Sequence, residues 1–114
     1  MAGPSESLAA AVAVLTDRSL EVRALYEAFE IRTYGREWSV QDLTAGFVVD
    51  VGDLTRLVMA ASGVREVEDV HEKLAHELSD CLWSVLVLAN KLGVDLGAAF
   101  TRTMDELEMH LRSR

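Results

Sequence analysis

Residues 70–92 have the sequence VHEKLAHELSDCLWSVLVLANKL, and this stretch decides the fold. Leucines and valines recur along it every three to four residues, which is the period of an α-helix. Its second half, from Cys81 to Ala89, is apolar on nearly every side, so other helices must cover it. The stretch therefore predicts a central helix in an all-α protein.

Three further stretches have the same period and are separated by short segments that contain glycine or serine. The predicted helices of this four-helix all-α bundle cover residues 5–31, 40–61, 70–92 and 96–111. Apolar residues of the first helix recur at the spacing of one helix face: Leu8, Val12, Leu15, Val22, Leu25, Tyr26 and Phe29. Ser39 with Asp42, and Asp95, are expected to cap the second and fourth helices. We expect residues 1–114 to form a single domain.

The composition limits the kinds of partner and location that we expect. Hydrophobic residues make up 50% of the chain, yet no apolar run reaches the roughly 20 residues that span a bilayer, so we expect a soluble protein with no membrane partner. The net charge of −8 argues against a nucleic-acid polymer, whose phosphates attract basic proteins. Cys81 is the only cysteine and residues 1–7 resemble no secretory signal, so we predict a cytoplasmic location.

Four helices in 114 residues provide little material to cover the apolar half of residues 70–92. We therefore expect a homo-oligomer in which a second subunit covers the face bearing Trp83 and Val87. The alternative is a monomer with Trp83 at its surface.

Two acidic pairs with a spacing of three residues lie on successive predicted helices: Asp50 with Asp53, and Glu77 with Asp80. Asp50 lies at the edge of an apolar stripe, and a partly buried carboxylate requires a cation or hydrogen-bond donors. Four converging carboxylates without cysteine or histidine ligands favour Mg²⁺ or Mn²⁺. The alternative is that the pairs lie on solvated helix faces. Gly52, between Asp50 and Asp53, predicts that something approaches the backbone closely.

Two other features of the sequence do not define a second reactive site. Glu68 and His71 form one ExxH pair, but a carboxylate di-iron bundle needs two such pairs and two further glutamates. Cys81 lies in the apolar half of its helix and is expected to be a buried structural thiol.

The segments FVVDVGDL at residues 47–54 and ELSDCL at residues 77–82 resemble the two acidic motifs of the MazG-like all-α nucleoside triphosphate pyrophosphohydrolases. The similarity runs from about Tyr34 to Leu111 and includes Trp38 and residues 88–96. It implies helical bundles that form homodimers or homotetramers and hold Mg²⁺ with an ExxE and an ExxD motif. It also implies cleavage of a (deoxy)nucleoside triphosphate to a monophosphate and pyrophosphate, in a house-cleaning role.

By position, Asp50 and Asp53 stand where this family has its ExxE acids, while Glu77 and Asp80 match ExxD. On this resemblance Glu77 would orient or deprotonate the attacking water. Lys73 would contact a phosphate, or form an ion pair with Glu77. Trp38 would stack on a nucleobase, or cover the core.

Two departures from the family pattern support an alternative function. Asp50 and Asp53 are each one methylene shorter than glutamate, and Thr103 and Leu107 stand where the family commonly has Lys and Asn. The alternative is a helical module with weak or no catalysis that binds nucleotide, metal or another protein.

Overall fold

The computed structural model describes residues 3–63 and 66–114, which form four α-helices and no strand. The helices are α1 (Pro4–Tyr34), α2 (Val40–Ala61), α3 (Val70–Lys91) and α4 (Leu96–Arg112). The predicted all-α, four-helix fold is confirmed. The largest difference from the predicted bounds is at the end of α1, which continues to Tyr34. Gly35 ends it in the left-handed conformation, at a φ of 79°, and donates its N–H to the carbonyl of Ile31.

The start of α2 is fixed by a reciprocal cap between Ser39 and Asp42. The Ser39 hydroxyl accepts the Asp42 N–H at 3.1 Å, and the Asp42 carboxylate accepts the Ser39 N–H at 2.9 Å. The guanidinium of Arg36, 2.8 Å away, and then the Ser39 hydrogen bonds lower the pKa of Asp42 to about 2. Asp95 caps α4 by accepting the Ala98 N–H at 3.2 Å. Both predicted caps are confirmed, and the first sets where Asp50 and Asp53 lie along α2.

The central helix of the fold is α3, with α2 on one side and α1 on another, while α4 packs mainly against α1. Val87 of α3 is 1% exposed. Trp83 packs against Tyr26 of α1, with ring centroids 5.7 Å apart, and donates its indole N–H to the Ser19 carbonyl at 3.1 Å. A second subunit is therefore not needed to cover Val87, whereas Trp83 is only half-buried and its cover by a second subunit stays a prediction. The 31 residues of α1 give it a length of about 46 Å, enough to run along α3.

The face that α1 buries is polar. Arg23 and Glu30 are 1% and 2% exposed, and the guanidinium of Arg23 donates two hydrogen bonds to the Glu30 carboxylate, at 2.9 and 2.6 Å. Much of the apolar face noted in the sequence is at the surface, with Leu25 71% and Phe29 48% exposed. The two opposite charges satisfy each other, which allows α1 to pack this side inward.

The accessible surface of the chain is much larger than that of a compact monomer of the same mass. Its accessible surface is 8400 Å², against about 6,200 Å² for a compact monomer of 12.5 kDa. Its radius of gyration is 17.2 Å, against about 13 Å for a globular chain of this length. Among the described residues only three hydrophobic side chains are buried, namely Leu43, Leu86 and Val87. An exposed apolar stripe on α4 is formed by Phe100, Met104, Leu107 and Leu111.

No single described helix is long and apolar enough to cross a membrane. Taken as a pair, α3 and α4 meet that test by length and composition only, with a bend of 108° between them.

Candidate functional site

Three of the four predicted carboxylates meet where α2 packs on α3. Asp50 and Asp53 of α2 and Glu77 of α3 each offer a carboxylate oxygen, and these oxygens lie within 4.8 Å of one another. All three residues are half-buried. We call these residues the acidic triad. Such a group of hard oxygen donors can hold a divalent cation, although exposed acidic groups are also common without one.

The triad is electrostatically crowded. Burial, followed by the negative charges of neighbouring carboxylates, raises the pKa of both Asp50 and Glu77. A divalent cation bound among these carboxylates would compensate their charges, so the residues present fit such an ion.

The fourth predicted ligand, Asp80, lies beside the triad and is not a member of it. Its carboxylate is 3.2 Å from Nε2 of His76, one turn earlier on α3. Its negative charge is the second cause, after burial, of the raised pKa of Asp50. Within the triad, Asp53 forms an ion pair with Arg56. Two basic side chains thus already contact the acidic region.

A polar cleft of about 720 Å³ borders the triad through Asp53 and Glu77. Arg56, Lys73 and His76 contribute basic side chains to its lining. Across residues 3–63 and 66–114, Lys73 makes no ion pair with Glu77, so the i,i+4 pairing considered for it is absent there. Lys73 instead lines the cleft beside the triad. The lining also carries five carboxylates, so a polyanion would bind there only together with a divalent cation; they belong to Asp53, Glu66, Asp69, Glu72 and Glu77.

An aromatic cleft of about 560 Å³ borders the triad through Asp50, with Asp80 also in its lining. Its aromatic side chains are Tyr26, Phe29, Tyr34, Trp38 and Trp83. Trp38 is 41% exposed, so it is no buried lid over the core. The triad therefore lies between a cleft with basic side chains and a cleft with aromatic rings.

Sequence reasoning missed several residues of this region. Arg56 follows Asp53 by three residues and His76 precedes Asp80 by four, and both are helical spacings that predict ion pairs. Arg23 has the same kind of spacing to Glu27, with which it forms an ion pair at 3.7 Å, but its hydrogen-bonded partner Glu30 is two turns away on α1 and gave no such signal.

Four other positions take no part in the candidate site. Burial, then the charge of Asp50, raises the pKa of the half-buried Cys81, which therefore stays a thiol at neutral pH. A methyl group added at Gly52 would meet nothing within 4 Å, so no described part of the chain makes the expected close approach. Thr103 and Leu107 belong to α4 and line neither cleft.

Comparison with models of protein families, with curated proteins and with solved structures finds no match to this chain. Function is therefore inferred from the acidic triad and its two clefts.

Proposed function

We propose that this protein is an Mg²⁺-dependent nucleotide pyrophosphohydrolase, of the MazG-like kind that its acidic motifs resemble. Its substrate would be a (deoxy)nucleoside triphosphate, cleaved to a monophosphate and pyrophosphate in a house-cleaning role. The observation that carries the proposal is the position of Asp50, Asp53 and Glu77 between a cleft with basic side chains and a cleft with aromatic rings. A nucleoside triphosphate has a complementary layout, with a planar base at one end and phosphates at the other.

The cofactor would be held by Asp50, Asp53 and Glu77, with Asp80 next to them. Mg²⁺, or Mn²⁺ with the same ligands, supplies positive charge to the phosphate oxygens when it is bound. The raised pKa of Asp50 and Glu77 supports this assignment, because it reports carboxylates that lack a compensating charge. The shorter arms of Asp50 and Asp53 are accommodated because α2 and α3 are in direct contact.

The chain's own residues would divide the remaining work. Water attacks the α-phosphorus, the bond to the bridging oxygen breaks, and pyrophosphate leaves. Glu77 orients or deprotonates that water. Lys73 and Arg56 contact the phosphates from the polar cleft. Trp38 stacks on the base in the aromatic cleft.

We also propose that the chain assembles with a second copy of itself. Each chain exposes about 2,200 Å² more surface than a compact monomer of its mass. Counted for both chains of a dimer, this excess lies within the 2,000–5,000 Å² that obligate homodimers bury. The exposed stripe of α4 and the exposed apolar face of α1 supply the apolar character that such interfaces have. A homotetramer would use the same surfaces twice.

The test is pyrophosphate release across a panel of ribo- and deoxyribonucleoside triphosphates, with and without Mg²⁺. We expect Mg²⁺-dependent turnover that Asp53→Ala and Glu77→Ala each reduce by at least about a hundredfold, as is usual when charge stabilisation or a base is lost. Asp17→Ala, which removes an exposed carboxylate of α1, is the matched control and should keep full activity.

The alternative function is a non-catalytic nucleotide-binding module, and the ion pairs Asp53–Arg56 and His76–Asp80 favour it because they occupy the carboxylates. It predicts that nucleotide with Mg²⁺ raises the melting temperature while no product forms. Absence of pyrophosphate release with every nucleotide tested would contradict the enzymatic proposal.

A further inference from the structure

The buried ion pair of α1 has a third partner outside the helix. Besides the two bonds from Arg23, the Glu30 carboxylate accepts the backbone N–H of Trp38 at 2.7 Å. Trp38 belongs to the connection between α1 and α2, so this bond joins α1 to the residue just before the cap of α2. Among the described residues no hydrogen bond of the Trp38 indole is found, and the bond to Glu30 is its polar anchor.

The Glu30 carboxylate stays ionised although it is buried. Burial alone would raise the pKa of Glu30, but the hydrogen bonds from Arg23 and from Trp38 outweigh it and lower the pKa. A buried ion pair of this kind generally adds little stability compared with well-packed apolar residues. Its retention in the packed face of α1 therefore needs a reason other than stability.

Both members of the pair and Trp38 line the aromatic cleft. Holding the backbone of Trp38 limits where its indole can lie relative to Tyr34 and Asp50 in the same lining. A stacking platform binds a planar ring well only when its own position is already fixed, because ordering it on binding lowers the affinity.

We propose that Arg23 and Glu30 are positioning residues that hold Trp38 in place to stack on the planar ring of a nucleotide. The proposal rests on the proposed function for the identity of the ligand, whereas the anchoring of Trp38 is independent of it. Arg23 orients the Glu30 carboxylate, and Glu30 holds the Trp38 N–H.

The test replaces the ion pair with apolar residues of similar size, in the variant Arg23→Met with Glu30→Leu. Such replacements are usually neutral or stabilising, but here the Trp38 N–H also loses its acceptor and Glu27 its ion pair with Arg23, so we expect unchanged helicity and a melting temperature within a few degrees of the original. With Trp83→Phe in the background, Trp38 is the only tryptophan. We expect its emission to shift to longer wavelength and its quenching by acrylamide to increase, because the N–H anchor is gone. The matched control is Arg18→Met with Glu21→Leu, which removes an exposed ion pair of the same helix and should leave Trp38 unchanged.

A binding experiment distinguishes recognition of the ring from recognition of the phosphates. The first probe is a nucleotide with a non-cleavable α,β-imido bridge, bound in the presence of Mg²⁺. We expect the double variant to bind it about tenfold more weakly, since stacking on an aromatic side chain typically contributes that much affinity. Affinity for inorganic tripolyphosphate, which has no ring, should not change. Equal losses for both probes would contradict the positioning role.

Two measurements keep the outcome clear. Unchanged emission and quenching of Trp38 in the folded double variant would overturn the proposal, whatever the ligand. If the double variant does not fold, hydrogen exchange in the unaltered protein decides: the Trp38 amide should be as protected as the amides in the last turn of α1, and rapid exchange overturns the anchor. If neither probe binds the unaltered protein, the proposed function fails while the fluorescence result still tests the anchor.

Discussion

Asp50 lies where α2 meets α3, half-buried and with a carboxylate oxygen within 4.8 Å of one of Glu77. Burial, then the charge of Asp80, raises its pKa, so the folded state binds this proton more tightly than the unfolded state does. Asp50 should therefore add stability to the metal-free protein as the pH falls through its pKa in the folded state, with the full gain reached below its pKa in the unfolded state. For the same reason Asp50→Asn should raise the melting temperature of the metal-free protein at pH 7 by a few degrees.

The same variant should also remove the rise in melting temperature that Mg²⁺ gives the unaltered protein, because one of three ligands is lost. Differential scanning fluorimetry with Mg²⁺ or with a chelator measures both effects. Asp105→Asn, at an exposed position of α4, should change neither. A lower metal-free melting temperature for Asp50→Asn would show that its charge is already compensated in the fold.

Arg56 competes with a cation for the carboxylate of Asp53. The pair is exposed, with 61% and 39% of the two side chains accessible, and such pairs contribute about 0.2–1 kcal/mol. Arg56→Gln should therefore tighten Mn²⁺ binding by up to about fivefold, measured by calorimetry. It should weaken binding of Mg²⁺ with pyrophosphate, because a phosphate contact is lost. Arg18→Gln, which breaks the pair with Glu21 on α1, should alter neither constant. Weaker Mn²⁺ binding in Arg56→Gln would contradict the competition.

At the scale of the helices, the sequence predicted what depends on local spacing. The helical period located α2 and α3, and the Ser39–Asp42 cap and Asp95 were identifiable because capping involves residues three apart. The inward side of α1 was not predictable in this way. Its apolar residues define one stripe, yet Arg23 and Glu30 at the edge of that stripe are buried because each neutralises the other, and only the packed structure shows their contact.

Gly52 provides a prediction at the level of α2. A methyl group there, or at Gly46 of the same helix, would meet nothing within 4 Å, and neither glycine has a positive φ. Alanine at either position should stabilise the helix by roughly 0.5–1 kcal/mol, chiefly by restricting the unfolded chain. Urea denaturation of both variants measures this. Stabilisation by Gly46→Ala without stabilisation by Gly52→Ala would contradict the expectation for Gly52 and indicate that another chain approaches α2 there.

For the whole molecule, the sequence indicated that the apolar residues exceed what four helices can cover, but it did not indicate which surface would remain open. Trp83 and Val87 were the expected interface because α3 is apolar on all sides, but Val87 is buried within the chain and Trp83 is half-buried against Tyr26 of α1. The cover that α1 gives to α3 leaves the outer face of α1 and the stripe of α4 exposed. The convergence of Asp50, Asp53 and Glu77 followed from the two spacings, whereas the two clefts depend on side chains from three helices and could not be predicted from spacing.

The exposed stripe of α4 leads to a prediction about assembly. A second copy packed on Phe100, Met104 and Leu107 should make the protein sediment at twice 12.5 kDa or more at micromolar concentration. Leu107→Glu puts a charge in the middle of that stripe, and burying an unpaired charge is unfavourable enough to give a monomer with a lower melting temperature. Arg102→Glu changes charge on the opposite side of α4 and should leave the assembly intact. Sedimentation of the unaltered protein as a 12.5 kDa species would contradict the assembly. An oligomer that survives Leu107→Glu would instead place the interface on α1 or on the exposed valines of α2, where Val48 and Val49 are 65% and 64% accessible.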